Sequence, residues 1–590
     1  EREREMDYDS SRLNPHDYQS PSAAMLIMAA SQGDEEKLSQ YLSSGSGLLY
    51  RAPHRMTLLM AAAQHDRRRV VEMLLKREGG SQDDFGATAL VYAARAGHVR
   101  CVELLLQERG TRDRTGRTAL MHAAEMGHAD VVRALREGEA GRADDMKETA
   151  LMKAAARGYL DCVNLLAETE AGVKDGAGRT ALHHAAAAGH LSCVDVLAKL
   201  EAGSVDSAGN TALMACAGGP GHIDCVRRLA PLEMQQTNQL GYTALMLAAR
   251  EGHGECVALL LDEQEKVSAL GRSALMLAAW HGHFRVCSQL VQREQRMQDS
   301  KGNTALALAA HQGHASVVSL LLRREAIRKN QKGNSALMGA AQQGHAECVQ
   351  MLVPLEMGLR NQMGQTALHH AALGGSVQCA RLLMSEAGAQ DRMGRCALHF
   401  ACLSGSWQVA RECVGIEHGL LTKAGLSSLH ILMRRPTPDI PDDVFRSVFD
   451  LHSHTDNEGR TALMMAAANP GLASTPPHSP TADQLRMLCD HEAGKQDSRG
   501  MCALHHAAIS GGVLVAGFVV IRELELIDKD GHDALYHSAR NHNPGGLLYT
   551  SLSTGYTRNL SSPRYMMRVI LSPPLSLVIH VYMRTLSHQV

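Results

Sequence analysis

Aromatic side chains make up only 3% of the 590 residues, with two Trp and six Phe. A single large core normally uses more of them, so the scarcity argues against one closed globule and for contacts between small, Ala- and Leu-rich surfaces. Charge of one sign is also lacking. The formal net charge is −2, so no global field favours nucleic acid. The local clusters Arg67-Arg68-Arg69 and Arg323-Arg324 read as solvated helix faces. No pair among the fourteen cysteines has CxxC spacing, and no zinc-finger spacing occurs. There is no GxxxxGK[ST] phosphate loop, no GxSxG elbow and no HRDxxxxN catalytic loop, which removes the usual nucleotide, hydrolase and kinase chemistries. The opening EREREMDYDSSRLNPH is charged and polar, unlike a secretory signal.

What the chain has is a repeat. TALMHAAEMGHADVV at Thr118 returns as TALVYAARAGHVRCV at Thr88, TALHHAAAAGHLSCV at Thr180 and TALMLAAREGHGECV at Thr243. Successive anchors from Thr57 to Cys396 lie 30 to 32 residues apart. A fixed period of this size means stacked supersecondary units. Each unit opens on a turn: Asp113, two variable residues, Gly116 and one more residue lead to Thr118. Thr118 is expected to cap a short helix whose Ala119, Leu120, Ala123 and Ala124 form a small apolar face. Gly127-His128 should end it, and a second helix should bury Val131, Val132 and Leu135.

Turn, helix, Gly-His, helix and loop together resemble the ankyrin repeat, over roughly seventeen alignable copies. The resemblance implies an all-α solenoid of stacked helix-turn-helix units joined by short turns or hairpins. The family's T-P-L-H opening is here mostly T-A-L-M, with His kept at His183, His369, His399, His430 and His505. The period falls short of the usual length of about 33 residues, and the deficit lies after the second helix, as in Glu170-Ala171-Gly172. This shorthand resembles long ankyrin-only arrays of some unicellular parasitic eukaryotes.

The repeat also absorbs the residues that suggest chemistry. Cys101, Cys162, Cys193, Cys225, Cys256, Cys348 and Cys379 share one column with Val70, Val131 and Val317, so the site is a small apolar packing position. His98, His128, His190, His222, His253, His283, His314 and His345 fill another column. The pairs His183-His184, His369-His370 and His505-His506 are adjacent on helices and point in different directions. Asp84-Phe85-Gly86 spells a kinase metal motif but occupies ordinary turn columns. No catalytic residue, cofactor or metal is therefore expected.

The expected organisation has five parts. Residues 1–21 are a polar leader, read as a linker from a missing upstream region because no initiator Met opens the chain. An ankyrin array spans 22–433, an irregular insertion 434–456, and degenerate repeats 457–545 with a Pro-rich insertion at 469–482. The non-repeat tail 546–590 reads either as disordered or as a gene-model artefact. Its segment Met566–Met583 is apolar, but Arg568, Pro573-Pro574 and His580 argue against a membrane span.

With chemistry set aside, surface remains. The resemblance places contacts at turn tips and at the residues before Gly-His. Those columns supply Phe85, Arg114, Thr115, Arg117, Glu125, Met126, Leu240, Tyr242, Leu270, Trp280, His281, His311, Gln312, Gln342 and Gln343. Leu240, Tyr242, Leu270 and Trp280 fall in adjacent copies and form the expected centre of a protein-binding face. The expected function is a non-enzymatic scaffold or adaptor: a cytoplasmic monomer, with cytoskeletal association as one option, that binds other proteins and neither nucleic acid nor membrane. The alternative is the regulatory region of a larger enzyme, a protein kinase whose catalytic domain is absent from the chain.

Overall fold

A computed structural model of the chain describes residues 21–43, 53–435, 440–449, 454–469, 480–511, 513–523 and 525–541. Residues 1–20 of the leader, 470–479 of the Pro-rich insertion and the whole tail 546–590 lie outside the described residues. Among the described residues the chain is helix and turn, with no strand. No described helix is long and apolar enough to cross a membrane.

Two compact units divide the chain, Glu1–Ser300 and Lys301–Val590. Within the first, Ala119–Met126 pairs with Ala129–Glu139, and Ala150–Arg157 pairs with Leu160–Glu170. First helices stack on first helices, with Ala119–Met126 against Ala150–Arg157 and that in turn against Ala181–Ala188. Second helices stack likewise, Ala129–Glu139 against Leu160–Glu170. The second unit repeats the scheme, with Ala305–Gln312, Ala336–Gln343 and Ala367–Gly374 in contact in sequence.

Packing follows the sequence pattern. Ala123, Ala124, Val131, Val132 and Leu135 are wholly buried. Leu135 alone contributes roughly 1.5–3 kcal/mol through burial. Gly127 ends its helix at φ 80°, and a Cβ there would sit 2.5 Å from the Tyr159 ring of the next repeat. Glycine is thus required for both conformation and close approach.

The helix starts differ from expectation. Thr118 has extended backbone but makes no side-chain capping bond, and the caps at Thr149, Thr211 and Thr243 accept only at 3.3–3.5 Å. The strong bond comes from a glutamate at the end of the second helix. Leu120 N–H donates to Glu139 Oε2 at 2.7 Å, and Leu151 N–H donates to Glu170 Oε2 at 2.7 Å. A carboxylate satisfies helix-start donors better than a hydroxyl and complements the helix dipole.

The stretch 434–456 reads as irregular, yet it contains the helix Asp442–Phe449 with Val444, Phe445 and Val448 buried. The prolines that break the repeat pattern precede it. The degenerate stretch 457–545 holds Ala462–Ala467, Pro480–Glu492, Ala503–Ser510, Val513–Glu523 and Ala534–Arg540.

Candidate functional site

Three polar columns hold the repeats together, and their demands define what is left for recognition. The turn aspartate forms an Asx turn: Asp113 Oδ1 accepts from Thr115 N–H and Arg117 N–H, each at 2.9 Å. Asp84-Phe85-Gly86 is the same turn, with Phe85 N–H and Ala87 N–H donating to Asp83 Oδ1 at 2.8 Å. The buried glutamate joins neighbours, because Gly110 N–H of the preceding repeat donates to Glu139 Oε1 at 2.8 Å. The Gly-His histidine does so as well. His98, His128, His190, His253 and His283 place Nε2 at 2.8–3.2 Å from the carbonyls of Gln64, Arg95, Ala156, Gly219 and Arg250. These imidazoles are inter-repeat ties.

The cysteine column is packing. Cys101, Cys162, Cys193, Cys225, Cys256, Cys348 and Cys379 are buried, and every one of the fourteen cysteines is a free thiol. Burial pushes the thiols of Cys162, Cys193 and Cys348 up to about 11, so they stay protonated and unreactive at neutral pH.

The residues expected at the binding face divide by environment. In the first unit Leu240 is 62% exposed and Leu270 54% exposed, on adjacent turn tips joined by the bond from Ala269 N–H to Leu240 O at 2.9 Å. Tyr242 and Trp280 are half-buried, and the Arg272 guanidinium lies 5.4 Å from the Trp280 ring centroid. His281 is exposed, its ring stacked 6.2 Å from that of His283. Below the boundary of these copies, Leu247 and Leu277 are buried. Of these residues, Leu240, Leu270 and His281 are exposed, while Tyr242 and Trp280 are half-buried.

The other expected residues divide between exposed positions and positions engaged with neighbours. Phe85 is half-buried against His54, with ring centroids 5.4 Å apart. Arg114 and Met126 are exposed, but Arg117 pairs with Glu125 at 3.1 Å. Glu125 also takes Arg157 at 3.2 Å. Burial alone would raise the Glu125 carboxyl; the two arginines outweigh it and hold it below the usual range. In the second unit the His311 carbonyl accepts from His345 Nε2 at 3.1 Å, and Gln342 Oε1 lies 3.4 Å from His370 Nδ1.

Two features escaped the sequence reading. The tip column that supplies Leu240 and Leu270 also supplies Met146 at 68% exposure, and Met363 and Met393 in the second unit. Comparing turn positions copy by copy finds them. The second is an acid–base pair within each of the copies at Thr118, Thr149 and Thr180. His122 meets Asp113 at 2.9 Å, Lys153 meets Asp144 at 3.3 Å and also binds Glu148, and Arg179 meets Asp175 at 2.9 Å.

A family described as ankyrin repeats (3 copies) matches six overlapping windows of the chain, residues 26–113, 107–175, 151–237, 221–298, 275–357 and 340–420. No curated protein matches the chain.

Proposed function

From the premise that the chain belongs to the ankyrin-repeat family, we propose that it is a non-catalytic scaffold or adaptor whose partner protein docks on the first-helix and turn-tip surface between Leu240 and His281. The observation that carries this reading is the pair of neighbouring exposed leucines, Leu240 and Leu270, beside Tyr242 and Trp280 in a chain otherwise poor in aromatics. The frame of the repeat uses Asp, Glu, Gly and His columns, so the tip positions of Leu240 and Leu270 are not required by it. Aromatic anchors in such a patch concentrate binding energy. Fourteen unpaired thiols fit a reducing compartment, which supports a cytoplasmic location.

Quantitative recovery of bound proteins from cells, compared between variants, tests the reading. Trp280→Ala should weaken the specific partner about thirtyfold, equivalent to about 2 kcal/mol, with the melting temperature little changed. Leu270→Asp should lose the same partner, and Arg157→Ala should keep it. Equal recovery across all three variants, or a melting temperature lowered by several degrees in Trp280→Ala with binding retained, makes Trp280 a packing residue and removes the site.

A further inference from the structure

One column changes its chemistry in the copy that opens at Asp528. Four residues after the turn aspartate, other copies carry an arginine that pairs with it: Arg179 on Asp175 at 2.9 Å, Arg395 on Asp391 at 2.8 Å and Arg460 on Asp456 at 2.8 Å. Five residues further on, several copies place a histidine on the same carboxylate, as His184 does on Asp175 at 3.1 Å and His506 on Asp497 at 3.0 Å. Only a histidine at both positions turns this ion-pair arrangement into two imidazoles around one carboxylate. Asp528, His532 and His537 have that pattern.

The geometry brings them together. His537 Nε2 lies 2.8 Å from Asp528 Oδ2, and His532 Nδ1 lies 3.7 Å from Asp528 Oδ1. One ligand atom from each residue falls within 4.8 Å of the other two. The supporting groups are fixed. Asp528 Oδ1 accepts from Asp530 N–H at 3.0 Å and His532 N–H at 2.8 Å, and the His532 ring stacks on Tyr536 at 3.8 Å. His505 packs edge-on to His537 at 5.6 Å and approaches the His532 carbonyl with Nε2 at 3.2 Å.

A second cluster of potential ligands supplies the contrast. Glu148, Asp175 and His184 also cluster within 4.8 Å. There, however, Arg179 pairs with Asp175 and Lys153 with Glu148. Positive side chains already occupy the place a cation would take. Among the described residues, Asp528 pairs with no arginine or lysine.

We propose that Asp528, His532 and His537 bind a zinc ion, with the fourth position left to water or to an external donor. Two imidazole nitrogens and a carboxylate are a ligand set that zinc accepts. Tetrahedral bonds of about 2.0–2.1 Å place ligand atoms about 3.3 Å apart. His537, at 2.8 Å from Asp528, therefore needs to retract by about half an ångström, and His532, at 3.7 Å, to close by about as much. The ion would clamp the turn to the helix Ala534–Arg540. This departs from the sequence reading, which finds no metal-ligand spacing because the three residues answer to no named motif.

The test uses the full chain, stripped with a chelator and titrated with Zn²⁺ by calorimetry and with Co²⁺ by visible absorption. The wild type should take up one ion per chain at this site, with a Co²⁺ d–d band, and zinc should raise its melting temperature. His532→Arg restores the residue found at 179, 395 and 460, so the metal-free fold should be kept while affinity falls about a hundredfold. His537→Gln should lose binding to a similar degree, and it serves in place of His532→Arg should that variant not fold. No uptake by the wild type, or an affinity in both variants within tenfold of wild type, overturns the proposal.

Discussion

Two stretches of the first unit use the same frame to opposite ends. In the copies opening at Asp113, Asp144 and Asp175, the turn acid faces a base nine residues on: His122, Lys153 and His184, within 2.9–3.3 Å. In the copies opening at Asn238 and Ser268 the matching positions hold Leu247 and Leu277, both buried. In these five copies the turn residue and the residue nine positions on match in polarity, but other copies do not follow the match: Asp206 and Asp299 face Ala215 and Leu308. A buried carboxylate without a partner is costly, so a turn acid that lacks a base nine residues on needs another donor, as Asn210 Nδ2 gives Asp206 Oδ2 at 3.0 Å. The first stretch satisfies its surface charges internally, and the second presents Leu240 and Leu270 to solvent.

The comparison rests on a shared frame, and the largest effect tests that. Glu139→Ala in the ionic stretch strands Leu120 N–H and Gly110 N–H, and Glu263→Ala in the apolar stretch strands Leu245 N–H and Gln235 N–H. Each loss should cost about 2–3 kcal/mol, for one buried and one part-buried donor. Urea unfolding of the two variants should agree; a difference of severalfold breaks the idea that the stretches differ only in surface.

The pairing of acid with base is next in size. Asn238 accepts from Leu240 N–H and Tyr242 N–H and donates to Asn210 Oδ1 at 2.8 Å. Asn238→Asp should destabilise by about 2 kcal/mol, since it adds a charge with no base and loses a donor. Adding Leu247→His should recover about half of that loss. A double-mutant cycle with no coupling shows that an acid at 238 and a base at 247 do not pair.

Acid should separate the stretches further. In the ionic stretch burial pushes Asp113 and Asp175 up, but His122 and Thr115 on Asp113, and Arg179 and His184 on Asp175, hold both carboxyls below their ordinary value of 3.8. Depressed acids contribute stability that is present above the unfolded value and lost as pH falls through the folded one. Burial, helped by Arg179, also lowers His184 from 6.5, so its contribution starts to fade as pH drops below 6.5. Burial raises Glu294, beside the apolar stretch, from 4.5; its contribution is present below 4.5 and lost as pH rises through the folded value. Glu170 in the ionic stretch behaves as Glu294 does, so the contrast rests on Asp113, Asp175, Glu125 and His184. Hydrogen exchange corrected for intrinsic rates, run from pH 6.5 downward, should show the ionic stretch losing protection first.

The smallest effect concerns backbone strain. Where the ionic stretch has Gly110, Gly141 and Gly172 at positive φ, the apolar stretch has Gln235 at φ 72° and Glu265 at φ 71°. Glu265 is exposed, and its N–H still reaches Glu294 Oε1 at 3.1 Å. Glu265→Gly should therefore stabilise by about 1 kcal/mol, read as a small rise in melting temperature. Destabilisation would mean that the Glu265 side chain supports the patch.

Much of this was legible in the sequence. Helix pairs, Ala-Ala faces, the Gly-His stop and the cysteine packing column all follow from a period that repeats the same local chemistry many times. The capping glutamate was not legible. Glu139 acts on Leu120, nineteen residues earlier, and on Gly110 of the copy before, so its role spans a distance that local capping rules do not consider. Substitutes for the histidine tie were hidden for the same reason. Ser406 stands where the column has histidine, and Ser404 Oγ donates to the Ala372 carbonyl at 3.0 Å instead.

Which elements form, and in what order, follows from the repeat alone, because a short period fixes turn, helix, stop and helix through local conformational preference and apolar spacing. The sequence also marked the columns that vary. Tertiary structure decided what those varying residues do. Arg117 and Leu240 both sit beside a turn glycine and look equally available in the sequence; stacking adds Asp144 to the Glu125 that Arg117 already meets in its own copy, and leaves Leu240 facing solvent. Charge pairing and exposure depend on side chains that neighbouring copies bring across a stacking interface, and that distance is set by packing rather than by position along the chain.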